Sequence, residues 1–466
     1  MDATTLRLVD FASRANFAGL PLETVHECKR RLIDTFACAV GAYDEPLSKM
    51  ARALAKRYSG TPAASVWGCT WQTTPEAAAF ANGVMLRFLD ISDQYRVKSG
   101  GHPSDVIAGV LAVGEAMHAD GASVINAVTL AYDVYCSFCE AVDISSKGWD
   151  QPVYAGLACT LGAGKLLHLS RDQMGNAVSL SLTPNMALIQ TRHGELSNWK
   201  GCAAANASRN GVFAAFLAQD GFTGPTAVFE GKGGLWDIIG RFDWQVSIGH
   251  GAPHRVTRTH MKCFPICYHG QSAVWAALEL RARLGAQDIR EIAIETYRIA
   301  IEMMGDDPAR WTPKTRETAD HSLPYVVAIA LLDGKVTSQS FSGERLLDPA
   351  VVKLMRKVKI NENAEFSAQY PESAWCRLRI RTVSGEDVVT EVRYPKGHIN
   401  NAMDDKDLEA KFRDLFRAYG DESQCDAALR GLWNLEHAND IGDVLRLLSL
   451  DYSCPKQHMT LVHPEG

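Results

Sequence analysis

The strongest constraint on the fold is a change of hydrophobic period partway along the chain. Up to about residue 257 one helical pattern follows another, and only beyond about 258 does a period of two appear. Leu20-Pro21-Leu22-Glu23 opens a run in which Val25, Cys28, Leu32, Phe36 and Ala39 recur at helical spacing, with Gly41 placed to close it. Thr74-Pro75-Glu76 reads as an N-cap threonine followed by proline in the first turn, starting a helix through Ala78, Phe80, Val84 and Leu86 toward Leu89. The pattern predicts further helices from near Ser104 to before Gly121, and over 123–141, 153–167, 171–189 and 197–218. The last is rich in small residues, among them Gly201, Ala203, Ala204, Ala205, Ala207 and Gly211, which lets neighbouring backbones come close.

After the change, a helix is expected over 269–284, then a half-buried strand in Glu291-Ile292-Ala293-Ile294-Glu295-Thr296-Tyr297 and a helix over 322–332. Residues 375–382 and 388–394 flank Ser384-Gly385-Glu386-Asp387, a hairpin signal. Pro395-Lys396-Gly397 is a break, and the tail returns to a helical stripe of Leu408, Phe412 and Leu415. The fold class is therefore mostly α with a smaller α+β part. A large helical domain formed by 1–258 and 399–466 is interrupted by an α+β domain over 259–398.

The formal charge of −6 provides no basic footprint for nucleic acid. An acidic chain that handled an acidic substrate would need its cations gathered in a pocket. Twelve cysteines scattered through helix-like segments fit thiols in a reducing compartment better than a disulfide framework. The N-terminal MDATTLRLVDFASRA does not read as a signal peptide, and no run of about 18 apolar residues suggests a membrane span. Cytoplasmic placement is the default expectation.

Leu89–Asp105, LDISDQYRVKSGGHPSD, puts Asp90, Asp93, Tyr95 and His102 in one glycine-loosened loop between two helical runs. His102 lies just before a helix start, whose positive end disfavours a charged imidazole, and a neutral imidazole can act as a base. The plainer reading is a loop histidine that caps or packs locally. Asp90 and Asp93, three apart, could share a face and push their pKa values apart; equally, they are solvated helix-end residues or partners for Arg87 and Arg96. Lys200 falls in a first helical turn, where a bound anion would offset its repulsion from the helix dipole, or it is a surface lysine. Lys262 and His269 flank Pro265. Tyr325 follows Pro324 at a helix opening, either as a hydroxyl donor or as a buried ring. The pairs Cys263/Cys267 and Cys136/Cys139 have no second pair at zinc or iron–sulfur spacing, so no metal is expected.

LDISDQYRVKSGGHPSD, ELSNWKGCAAANASRNGVFAAFLAQDGFTGP, MKCFPICYHGQSA and HSLPYVVAIALLDG resemble, in this order, successive signature blocks of the MmgE/PrpD family. The resemblance extends from the N-terminal helices to Tyr394-Pro395-Lys396-Gly397. It implies a large helical domain and a smaller lid domain with the site between them, a homodimer, and no metal or organic cofactor. It places Asp90, His102, Lys200, Lys262 and Tyr325 in the pocket with Asp93 beside them, and His269 in a pattern associated with the dehydratases. The decarboxylase branch has a threonine where Gln94 stands, a histidine near Trp149-Asp150-Gln151, and a catalytic histidine where Cys267 stands. The implied activity is dehydration of 2-methylcitrate or a similar hydroxy-polycarboxylate, with epimerisation of an iminodisuccinate-like dicarboxylate or cis-aconitate decarboxylation as alternatives. In that scheme His102 is the base and Tyr325 or a neutral Asp90 the acid. Lys200, Lys262, His269 and Ser104, with its helix start, bind carboxylates.

Overall fold

Local capping chemistry sets the helices that carry the cavity. The Thr74 side chain accepts from the Ala77 amide and Pro75 occupies the first turn of the Pro75–Phe88 helix. Asp120 caps Gly121–Ala141 in the same way. A single 3-10 turn, Pro103–Val106, leads into Ile107–Ala116. In the computed structural model, residues 1–249, 251–284 and 288–449 are described, so the end of the expected helical tail beyond 449 lies outside them.

Pro75–Phe88, Gly121–Ala141, Pro152–Leu166 and Trp199–Gln219 pack together, and small residues determine how closely. A Cβ added to Gly83 would fall 2.8 Å from that of Ala205, and one on Gly211 would fall 2.6 Å from the Gly156 carbonyl oxygen. The small-residue stripe of the 199–219 helix thus supports close backbone packing. Gly121–Ala141 is long and apolar enough to cross a membrane, but 89% of its apolar window is buried against its neighbours, the position of a core helix.

One apolar core gathers side chains between Leu8 and Met261 and again between Met403 and Leu448. A second gathers those between Ile266 and Val388. The second core backs a four-stranded sheet ordered Val358–Glu362, Ile289–Thr296, Cys376–Thr382, Asp387–Val392, with the first pair parallel and the others antiparallel. Ile292 and Ile294 point into the core from the alternating strand, as the period of two requires. The hairpin turns through Gly385 at φ 96°. The chain is mostly α, with a smaller α+β part in its C-terminal region.

Two of the differences from expectation have a plain physical reason. The helix expected over 171–189 stops at Leu182, because Pro184 has no N–H to continue the ladder and its ring would meet the Leu180 carbonyl. The edge strand Val358–Glu362 was not expected, since VKINE offers only Val358 and Ile360 as apolar signal.

Candidate active site

Between the two cores lies a cavity of about 630 Å³, lined by Asp90, His102, Lys200, Lys262, Cys267, His269 and His321, among others. The loop over 89–105 supplies one wall. Asp90 follows the Pro75–Phe88 helix in a left-handed backbone conformation, φ 52°, a region that aspartate tolerates better than most residues. Tyr95–Arg96 pairs with Gly100–Gly101 as a short antiparallel ladder. Gly101 has to be glycine: a Cβ there would lie 2.0 Å from both Gln151 Oε1 and Tyr135 Oη. Those two atoms fix the start of the next segment, for the His102 amide donates to Tyr135 Oη at 2.9 Å and to Gln151 Oε1 at 3.0 Å.

The His102 ring is oriented from behind. Its Nδ1 lies 2.7 Å from the Asp93 carbonyl oxygen, which can only accept, so Nδ1 carries the proton and Nε2 presents a lone pair. Nε2 is 3.9 Å from Asp90 Oδ1. Burial, helped by Arg87 and Lys262, holds the imidazole well below its usual pKa, so it is neutral at pH 7.

Asp90 is the hub of the floor. Its Oδ1 meets Lys262 Nζ at 2.9 Å and the Arg87 guanidinium at 3.3 Å, and its Oδ2 meets Lys200 Nζ at 3.2 Å. Burial pushes this carboxyl up, but Lys200, Lys262 and Arg87 outweigh it and hold the group well below the usual carboxylate range. Asp90 is therefore ionised and cannot be the neutral acid. Lys200 is buried in the first turn of its helix, not on the surface, and also reaches Asp320 Oδ1 at 3.5 Å. Asp90, Asp320 and His321 bring ligand-type atoms within 4.8 Å of one another, but the Lys200 ammonium already lies against both carboxylates.

Several expected site residues stand elsewhere. Asp93 does not share a face with Asp90: its Oδ2 accepts from Tyr132 Oη at 2.9 Å and its Oδ1 from the Ser104 amide at 3.1 Å, behind His102 and off the cavity wall. Ser104 is buried with it and also does not line the cavity. Tyr325 packs in the second core and donates to the Ser340 carbonyl oxygen at 2.6 Å, pointing away from the site. Proline at the helix start left both directions open to the sequence; packing against Phe341 decides the matter. His269 does line the cavity, but burial and then Arg96 hold it well below its usual pKa, so it is a neutral hydrogen-bonding group and not a cationic clamp. Its Nδ1 meets Tyr297 Oη at 2.8 Å.

Residues the sequence did not single out complete the wall: Arg96, Arg310, His321, and Arg192 paired with Asp150 at 2.9 Å. Five nitrogens here are buried and without a hydrogen-bond partner among the described residues: Arg96 Nε, Arg192 Nη2, Arg310 Nε and Nη1, and His269 Nε2. Glu302, Asp306 and Asp307 add acidic groups to the lining. Gln94 spends its amide on the Gly101 and Tyr95 carbonyls at 2.8 and 3.3 Å, holding the ladder together.

A helical domain and an α+β domain that enclose a buried cavity of paired carboxylates, ammonium groups and imidazoles define the architectural class. The chain belongs to the MmgE/PrpD family: the model of its N-terminal domain matches residues 6–245 and that of its C-terminal domain residues 264–436. The chain is 27% identical over 437 residues to 2-methylcitrate dehydratase of Escherichia coli (strain K12), covering 86% of this chain and 87% of that protein. It is also 27% identical to 2-methylcitrate dehydratase of Cupriavidus necator, over 85% of this chain and 86% of the relative. Against the cis-aconitate decarboxylase-like protein oryM of Aspergillus oryzae it is 24% identical, over 96% and 97%.

Proposed function

We propose that this protein is a hydro-lyase that removes water from 2-methylcitrate or a closely related hydroxy-polycarboxylate within this cavity. The observation that carries the reading is the set of buried, unpaired nitrogens on Arg96, Arg310 and His269 beside a neutral His102. An unmet buried donor costs about 1–3 kcal/mol, and more when charged, which a carboxylate in the cavity would recover. A substrate of this class is a polyanion near neutral pH. The family relatives named 2-methylcitrate dehydratase support the same reading.

In this scheme His102 Nε2 takes the proton next to a substrate carboxylate. Negative charge then builds on that carboxylate, and the fixed Lys200 and Lys262 ammonium groups stabilise it where it forms. The Asp93 carbonyl keeps His102 in the correct tautomer throughout. Metal and organic cofactors have no role in the scheme.

Thermal unfolding with citrate, 2-methylcitrate, cis-aconitate and simple diacids tests the pocket. A tricarboxylate at about 100 times its dissociation constant should add about 2.7 kcal/mol of stability. No response to any polycarboxylate would sink the reading.

A further inference from the structure

The departing hydroxyl needs a proton, and neither Tyr325 nor Asp90 can supply it. On the α+β side of the cavity three residues from two segments meet. Asp320 and His321 immediately precede the Leu323–Asp333 helix, while Cys267 caps the 3-10 turn Tyr268–Gly270. His321 Nδ1 lies 2.5 Å from Asp320 Oδ1, and the Cys267 amide donates to the Asp320 carbonyl oxygen at 2.9 Å. His321 is the side chain that acts most strongly on the Cys267 thiol. Since Nδ1 is spent on Asp320, Nε2 is the nitrogen left for the thiol and the cavity. Cys267 and His321 both line that cavity.

We propose that Cys267 and His321, with Asp320 behind them, form a thiolate–imidazolium couple in which His321 is the catalytic acid for the leaving hydroxyl. Cys267 is the positioning residue that keeps the proton on His321. The assignment rests on the elimination reading above.

The electrostatics agree with the geometry. Burial pushes the Cys267 thiol up, but His321 outweighs it and brings the group down to about 7. Every other described cysteine is pushed up by burial. Burial and Lys200 push His321 down, yet Cys267 and Asp320 outweigh them and raise it. Asp90 and Asp320 are the anions facing the couple, and Lys200, Lys262, Arg96 and Arg310 the cations. Burial keeps His269, Tyr297 and Tyr370 neutral.

The step balances without a further reactant. His102 Nε2 takes the carbon-bound proton, and the C–H electron pair becomes the new C=C bond. The C–O bond breaks with its electron pair on oxygen, which takes the proton from His321 and leaves as water. His102 then holds one proton more and His321 one fewer, and exchange with solvent restores both once product departs.

Alkylation of the full-length protein by iodoacetamide across pH, with the Cys267 peptide quantified by mass spectrometry, detects the thiolate without any turnover. The expected midpoint is near pH 7, rising by roughly one pH unit or more in His321→Asn. A wild-type midpoint at 9.0 or above, the ordinary value for a thiol, overturns the couple whether or not the variant folds. An unchanged midpoint in folded His321→Asn overturns it as well. Turnover of 2-methylcitrate then reads the role: Cys267→Ser should move the alkaline limb of kcat to lower pH, because His321 loses the anion that holds its proton. A wild-type pH profile in Cys267→Ser, or wild-type kcat in His321→Asn, overturns proton donation. A normal thiolate curve from a protein that dehydrates no hydroxy-polycarboxylate overturns the elimination reading and proton donation, and leaves the couple standing.

Discussion

Lys262 Nζ rests 2.9 Å from Asp90 Oδ1, an ion pair sealed from solvent on the floor of the cavity. Burial lowers the Lys262 pKa, and Asp90 is the first group that opposes the drop. The carboxylate therefore keeps this ammonium charged for an incoming anion. Asp90→Asn removes the partner of three buried cations and should destabilise the fold by roughly 3–5 kcal/mol, read from urea unfolding. Added tricarboxylate should restore more stability to the variant than to the wild type, since it supplies the missing negative charge.

His102→Ala should lower kcat by about 10²–10⁴-fold with little change in thermal midpoint. Because the base must be neutral and burial depresses its pKa, the acid limb of kcat/KM should lie below the ordinary histidine value of 6.5. Steady-state kinetics across pH check both points, and an acid limb above 6.5 would remove His102 from the role.

Stability should fall in mild acid. His102, His260 and His269 are held well below 6.5, and His398 is down to about 4, all chiefly by burial. Below pH 6.5 the unfolded chain binds protons that the folded one refuses. Each such histidine then removes about 1.4 kcal/mol per pH unit until its folded-state pKa is reached. His321, raised in the fold, is protonated in both states there and does not oppose the loss. Chemical denaturation at pH 6.5 and 5.5 measures the difference, with Asp105, raised to about 7, offsetting about one histidine's share; equal stabilities would contradict the burial of these rings as neutral groups.

Tyr325→Phe should leave kcat within a few-fold of wild type. The hydroxyl it deletes serves the Ser340 carbonyl, so the expected cost is to stability, about 1–3 kcal/mol for an acceptor left unpaired. A loss of turnover without a loss of stability would return the phenol to the chemistry.

Periodicity and capping carried most of the fold. The Thr74-Pro75 start, the alternation ending in Ile292 and Ile294, and the turn at Gly385 are local signals that packing left in place. Val358–Glu362 was not legible because its pairing with Ile289–Thr296 is a long-range contact of a short, weakly apolar segment. In the site, residues brought together by the loop over 89–105 and by the family blocks, such as His102, Lys200 and Lys262, do line one cavity. Asp93, Ser104 and Tyr325 do not, because sequence spacing cannot give side-chain direction across a left-handed residue at Asp90 or behind a proline-started helix. His321 stood inside a quoted block, but its importance comes from Cys267, 54 positions earlier in the chain, and only the fold brings the two together.

The most direct measurement is proton NMR of 2-methylcitrate incubated with the protein in heavy water. Elimination through His102 should produce an alkene tricarboxylate with loss of one water, and His102→Ala should slow its appearance by about 10²–10⁴-fold. Deuterium entering the substrate with no alkene formed, or loss of carbon dioxide in place of water, would contradict dehydration as the reaction of this cavity.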